Sequence, residues 1–457
     1  MRLVIRGGKV FDPGSGWDGE EQDLFIQDDR IVAQLDDWDQ VIAAQGLAVT
    51  PAAIDLRSPA AGYGQNYLRL WGCLPTPQEL GETYALQGYT HIHEPFLTLA
   101  TANYVHRELA AIPIVDTSAS FLLNLREMDI WFKAADKLPE VIAAGAYLVE
   151  HTRTLNLRVV EPFIRYRQDF YIHRTLSTEA VLAVLVELAD SLDSRIILET
   201  TPELLLLSPA PQKFHLAALG PALVNDEVMD RASQLLEAGM SADMGLLPPV
   251  RQPDSSKLPV KIDLGWFQPF HLTACPEPDA GRRILQVALA GRRDNLAFSA
   301  ASLLHTPVAS LPLLVSWLTE PTVRQRDWGE VLPEQAYSFQ DWLWSTRTLP
   351  AKHLGLADRG HLRPGARADV AMYDLPPDGN PAPWQENSVR CRVLLKAGEI
   401  VVNNYQLVAP QVGKATFYRG TGGKTNQLVA DICQYRSFRP ENLWVQPHLG
   451  VHWQQVA

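Results

Sequence analysis

Cysteine is scarce: the 457 residues hold four, Cys73, Cys275, Cys391 and Cys433, and no two are close enough for a CxxC pair. A disulfide framework or a zinc knuckle is therefore not expected, and a reducing compartment is the simpler reading. No apolar run approaches the ~20 residues of a membrane span. The most apolar helical stretch, Val181 to Leu188, is interrupted by Glu187 and ends at Asp190. Arg2, Arg6 and Lys9 punctuate the first residues without the apolar core of a signal peptide, so a cytoplasmic location is expected. Basic charge is in deficit, 40 Lys and Arg against 52 Asp and Glu, for a net −12. That balance argues against nucleic acid or an anionic membrane as partner. Internal repeats, low-complexity tracts and a GxSxG nucleophile elbow are all missing. Gly420 to Thr425 ends like a phosphate-binding loop, but the first glycine of that motif would fall on Tyr418, so the stretch reads as a plain loop.

What remains is an ordinary globular composition, 46% hydrophobic and 20% charged, with ample material for a large core. Both ends read as β-rich. Leu3 to Ile5 and Lys9 to Phe11 are strand candidates around a Gly7-Gly8 turn. Leu24 to Ile26 and Ile31 to Ala33 flank a turn at Asp28-Asp29. Near the other end Ala368 to Tyr373 is a strand, and Val393 to Val402 carries a hairpin signal around Lys396 to Glu399. The middle alternates short apolar runs with helical stretches. Strand candidates are Thr90–Glu94, Ile112–Val115, Leu157–Glu161, Arg195–Glu199, Phe214–Leu219, Ser241–Met244 and Asn295–Ser299. Ser177 suits the N-cap of a helix running to about Asp190. Alternation of this length predicts βαβ units and a parallel sheet, most economically a (β/α)8 barrel.

Three stretches carry a resemblance to the amidohydrolase superfamily. They are Val4 to Pro13 (VIRGGKVFDP), Pro51 to Pro59 (PAAIDLRSP) against a PGxIDxHxH strand, and His353 to Val370 against an LGL…GxLxxGxxADxxL return. Gly88 to Pro95, His106 to Asp116, His151 to Val160 and Arg436 to Leu443 narrow it. They resemble the amidohydrolase-like subunit of formylmethanofuran dehydrogenase and its counterpart in the bacterial formyltransferase/hydrolase complex. The resemblance implies an α/β fold: a (β/α)8 TIM-like barrel over 51–361, a small β-sandwich built from 1–50 and 362–410, and a C-terminal extension over 411–457. It also implies one-carbon chemistry on a pterin (methanopterin-type) pathway and partner subunits of such a complex.

The resemblance further implies a two-zinc centre that hydrolyses an N-formyl group. The ligand positions do not carry it over. The two histidines of the first strand fall on Arg57 and Pro59, leaving only Asp55 in agreement. The bridging lysine falls on Arg158, whose guanidinium can be neither carboxylated nor deprotonated to bind a metal. A later histidine pair falls on Ile197 to Pro202, where Glu199 alone offers oxygen; another falls on His215 and Ala218; the aspartate falls on Ala301. The leading expectation is accordingly a non-catalytic complex subunit or scaffold with zinc absent, a formylmethanofuran-type carrier being the ligand the resemblance allows. Arg57 and Arg158 are then candidate anion-binding residues, with Asp55, Glu161 or Glu199 as alternative partners. The second expectation is an active amidohydrolase with a relocated single metal on His91 and His93, beside Glu94, Glu199 or His215, or with a metal-free site of Asp55, Glu199 and His215. The third is a free-standing binding protein. Asp243 and Asp263 are expected in loop or capping roles.

Overall fold

The computed structural model describes residues 1–70, 74–123, 138–159, 178–191, 196–206, 214–245, 278–299, 311–328, 333–376, 390–408, 413–418, 427–435, 439, 445 and 451–456. Five strands open the chain: β1 (Arg2–Asp12), β2 (Trp17–Gln27), β3 (Arg30–Val32), β4 (Gln40–Ala43) and β5 (Leu47–Pro51). Eight follow in the middle: β6 (Ala53–Asp55), β7 (Tyr89–Leu97), β8 (Asp116–Leu123), β9 (Asn156–Val159), β10 (Ile196–Glu199), β11 (Phe214–Ala217), β12 (Ser241–Asp243) and β13 (Leu296–Ala297). The last six are β14 (Val370–Asp374), β15 (Val393–Lys396), β16 (Glu399–Asn403), β17 (Gln406–Leu407), β18 (Lys414–Tyr418) and β19 (His452–Val456).

Strands from both chain ends share one nine-stranded mixed sheet, in the order β17-β16-β15-β14-β5-β1-β2-β3 with β4 beside β1. The join is β5 against β14, antiparallel from Leu47↔Asp374 to Pro51↔Val370. Its own core includes Leu3, Ile26, Val49, Met372 and Leu395. Gly7-Gly8 is not a turn, as the sequence suggested, but a bulge inside one continuous β1. There Gly7 takes φ +72° and the strand passes from β4 to β5 as its parallel neighbour. Both expected hairpins are present, β2–β3 and β15–β16. Ala397 and Gly398, at φ +50° and +81°, make the tight turn between β15 and β16.

β6 to β13 run parallel in chain order, the eight strands of a TIM-like barrel. Among the described residues β6 and β13 do not pair. The π-helical turn Trp344–Thr348 packs between them instead: Phe298 N–H donates to the Ser345 carbonyl at 3.2 Å and Arg347 Nε to the Pro51 carbonyl at 3.4 Å. Outward residues such as Ile92, Leu157, Leu198, Leu216 and Leu296 pack under the helical layer in the main core. The expected helix after Ser177 is present as Thr178–Ser191; Ser177 itself lies outside the described residues.

Two features differ from the sequence reading. Ile112–Val115 is not a strand: Pro113 has no N–H to give a ladder, and Ile114 sits at φ +70°. The strand is β8, which starts one residue later. The C-terminal pair β18–β19 was not anticipated. It joins the barrel sheet through Ala415↔Thr117, beside the first residues of β8, before β9 takes over as neighbour.

Candidate functional site

Side chains alternate along a strand, so positions two apart share a face. From β7 to β12 the inward face is rich in polar side chains: His91 and His93 on β7, Ser118 and Ser120 on β8, Asn156 and Arg158 on β9, Glu199 on β10, His215 on β11, and Ser241 and Asp243 on β12, with Ser299 just past β13. All are buried.

Three expected residues meet. Arg158 Nε donates to Glu199 Oε1 at 2.5 Å, and Arg57 Nε donates to the same oxygen at 3.2 Å. Arg158 is 1% exposed, Arg57 and Glu199 4% each. Both guanidiniums lie over the Phe96 ring, 5.2 and 5.5 Å from its centroid. Burial pulls the Arg158 guanidinium below its ordinary value, and the Glu199 carboxylate opposes this. Asp55 stands apart. Its carboxylate takes the Tyr84 hydroxyl at 2.6 Å and the Arg57 backbone N–H at 3.0 Å, facing the helix Pro77–Leu86. Glu161 and Ala301 lie outside the described residues, as does Asp263.

His215 joins a second group. Its Nε2 is 3.3 Å from Asp243 Oδ2 and its Nδ1 3.3 Å from Ser241 Oγ, while its ring lies against His353 at 4.3 Å. Ser299 Oγ donates to the other Asp243 oxygen. Burial would raise the Asp243 carboxyl, but His215, the Arg158 charge and Ser299 outweigh it and hold the group below the usual range. Asp243 is thus a buried barrel residue rather than the loop or cap residue expected. Among the described residues this interior sets two guanidiniums, Arg57 and Arg158, against two carboxylates, Glu199 and Asp243.

Three of the four ring nitrogens of the HxH pair are hydrogen-bonded. Ser120 Oγ donates to Asn156 Oδ1 at 2.5 Å, so it must accept from His93 Nε2 at 2.6 Å. His93 Nδ1 then accepts from Ser118 Oγ at 2.8 Å, and Ser118 in turn accepts from His91 Nε2 at 2.8 Å. One direction satisfies the whole chain and fixes both rings as neutral Nε2–H tautomers. The reverse direction would strand an N–H at His91 Nδ1, which has no partner among the described residues. Burial and the Arg158 charge push His93 down to about 3, against the pull of Asp243. Glu94 faces the other way and accepts backbone N–H groups of Ala60, Ala61 and Phe96 at 2.8 to 3.0 Å, with burial pushing its carboxyl up to about 7. Among the described residues no three His, Cys, Asp or Glu side chains gather as a metal-binding group.

Sequence reading missed Ser118, Ser120, Asn156, Ser241 and Ser299. The i, i+2 spacing of polar residues along β8, β9 and β12 was the available signal.

An amidohydrolase family model matches residues 305–402. The chain is 20% identical to a chain in the crystal structure of the formyltransferase/hydrolase complex FhcABCD from Methylorubrum extorquens with methylofuran. The superposition covers all of both chains at a TM-score of 0.82. The fold is that of an amidohydrolase. L-hydantoinase from Arthrobacter aurescens shares it at a TM-score of 0.57 and 13% identity, over 90% of this chain and 99% of that one. In sequence, FhcA of the M. extorquens formyltransferase/hydrolase complex is 24% identical over 512 residues, spanning 91% of this chain and 90% of the relative. FwdA of Methanocaldococcus jannaschii is 26% identical over 182 residues, 35% of this chain and 32% of that protein. The expected likeness to these FhcA and FwdA proteins is borne out. Among the described residues no helix is long and apolar enough to cross a membrane.

Proposed function

We propose that this chain is an FhcA-like component of a formyltransferase/hydrolase-type complex of one-carbon metabolism, cytoplasmic, whose barrel scaffolds partner subunits without hydrolysing a substrate. The observation that carries this reading is the Arg57–Glu199–Arg158 cluster. Two guanidiniums fill the positions where the family's resemblance implies a first-strand imidazole and a bridging lysine, and the carboxylate there is already committed to them. Guanidinium nitrogens have no lone pair to give a metal, so these residues do not fit a two-zinc centre. Glu199 already partners both guanidiniums, which favours a structural role for Arg57 and Arg158 over the binding role first expected. The carrier, if it docks, is held by other groups.

The test is recovery of the tagged chain from its native cell. The reading expects defined stoichiometry with homologues of the other complex subunits, and no formate release from N-formyl furfurylamine by the chain alone. Recovery as a lone, metal-loaded, formate-releasing protein overturns it. A second reading, an active hydrolase, has one observation in its favour: His215 lies between Ser241 and Asp243. Ser241 precedes Asp243 on β12, on the side away from the strand's C-terminal end, where barrel chemistry takes place. Formate release abolished by His215→Gln but unaffected by chelator would establish that reading.

A further inference from the structure

A second buried charge cluster lies where β7 and β8 begin, at the opposite end of the barrel from the Arg57–Glu199–Arg158 group. Asp116, the first residue of β8, receives three cations: Arg359 Nη2, Arg367 Nη2 at 3.5 Å and Lys396 Nζ at 2.7 Å. Asp369 takes Arg359 Nη1 at 2.9 Å and lies 3.5 Å from Arg367 Nε. The five side chains are between 0% and 6% exposed. They come from the barrel, from the return segment into β14, and from the β15–β16 hairpin. The C-terminal pair also docks here, through Lys414 N–H on Asp116 at 2.8 Å and Arg367 Nη1 on Gln454.

The charges do not balance. Three cations face two carboxylates, and the nearby Arg30–Asp358 pair, 2.7 Å apart, adds nothing net. The adjoining His91 is held neutral, with burial and the Arg359 charge pushing it down. An uncompensated buried charge is strongly destabilising. Two guanidinium N–H donors also lack a hydrogen bond among the described residues: Arg359 Nε, and Arg367 Nε, which only approaches Asp369 at 3.5 Å. A water can satisfy donors but cannot remove the charge.

We infer that this cluster binds one small monovalent anion, of the chloride class, on Arg359 Nε and Arg367 Nε. The forked Nη groups that recognise planar oxyanions are spent on Asp116, Asp369 and Gln454. What remains are single N–H donors from two side chains, which suit a spherical acceptor. The anion completes the joint between the barrel, the terminal sheet and the C-terminal pair, and does not depend on whether the barrel is catalytic. A neutral Lys396 amine is the competing way to remove the excess. Burial draws that ammonium below its ordinary value, though Asp116 opposes it.

The experiment uses the full chain. Melting temperature is measured in sodium chloride and in sodium gluconate at equal ionic strength, and crystals are soaked in sodium bromide for anomalous diffraction. The inference expects a saturating, chloride-specific rise in melting temperature and a bromide peak within hydrogen-bond distance of both Nε atoms. Lys396→Met, which balances the cluster, should abolish both; should that variant not fold, the wild-type bromide map decides. Equal melting in the two salts overturns the inference, as does bromide found only on the surface. A peak at the site without chloride-specific stabilisation marks binding at crystal concentration only, and overturns it too.

Discussion

Glu199→Gln is the most informative single change in the barrel. It keeps the shape of the side chain and one acceptor oxygen, but removes the carboxylate that, among the described residues, both Arg57 and Arg158 touch directly. At an effective dielectric of ~20, a unit charge about 4 Å from another is worth about 4 kcal/mol. The two guanidiniums then repel one another as well, with Asp243 the remaining nearby counter-charge on Arg158 among the described residues. Part of this is returned because a neutral amide costs less to bury than a carboxylate. Removing one member of a buried ion pair typically costs about 3–5 kcal/mol, and that is the loss expected here. The assay is urea unfolding followed by far-ultraviolet circular dichroism, comparing midpoints at unchanged slope. Adding Arg158→Met to Glu199→Gln should recover part of the loss, because it removes one of the stranded cations. A loss under ~1 kcal/mol, the range of exposed pairs, would refute the reasoning: the cluster would then be hydrated and open rather than buried.

Three further outcomes are expected. Buried His93, near 3 in the folded protein against ~6.5 in an unfolded chain, contributes stability that is fully present above pH ~6.5 and is lost as pH falls toward 3. The slope of unfolding midpoint against pH between about 6.5 and 4 should flatten in His93→Gln. Gly88, at φ +84° ahead of β7, would place an added Cβ 2.1 Å from the Tyr373 hydroxyl. Gly88→Ala should therefore destabilise by at least ~2 kcal/mol through strain and overpacking, read as a lower urea midpoint. Tyr84→Phe strips Asp55 of its 2.6 Å hydroxyl donor and should lose about 1–3 kcal/mol, with no change in partner recovery.

The architecture was largely readable because most barrel strands announce themselves locally, by a short apolar run between turn signals. β8 escaped because its inward residues, Ser118 and Ser120, are polar partners for His91 and His93, so it lacks the apolar run that drew attention to Ile112–Val115 instead. The seam filled by Trp344–Thr348 and the docking of β18–β19 depend on contacts between segments far apart in sequence, which no local pattern carries. The meeting of Arg57, Arg158 and Glu199 was legible because each falls on a strand end of a barrel whose strand order was known. The Asp116 cluster was not: Arg359, Arg367 and Asp369 were noticed as a motif, yet their charge acquires meaning only when β8 and Lys396 are brought beside them.

The central claim is that guanidinium–carboxylate pairing occupies the barrel positions that zinc holds in the family this chain resembles. Zinc stoichiometry tests it directly, measured by elemental analysis after the folded chain is equilibrated with zinc sulfate and passed through a desalting column. The account predicts zinc well below one ion per chain, because too few imidazole and carboxylate ligands are left for tight binding. Retention of two zinc ions per chain would contradict it.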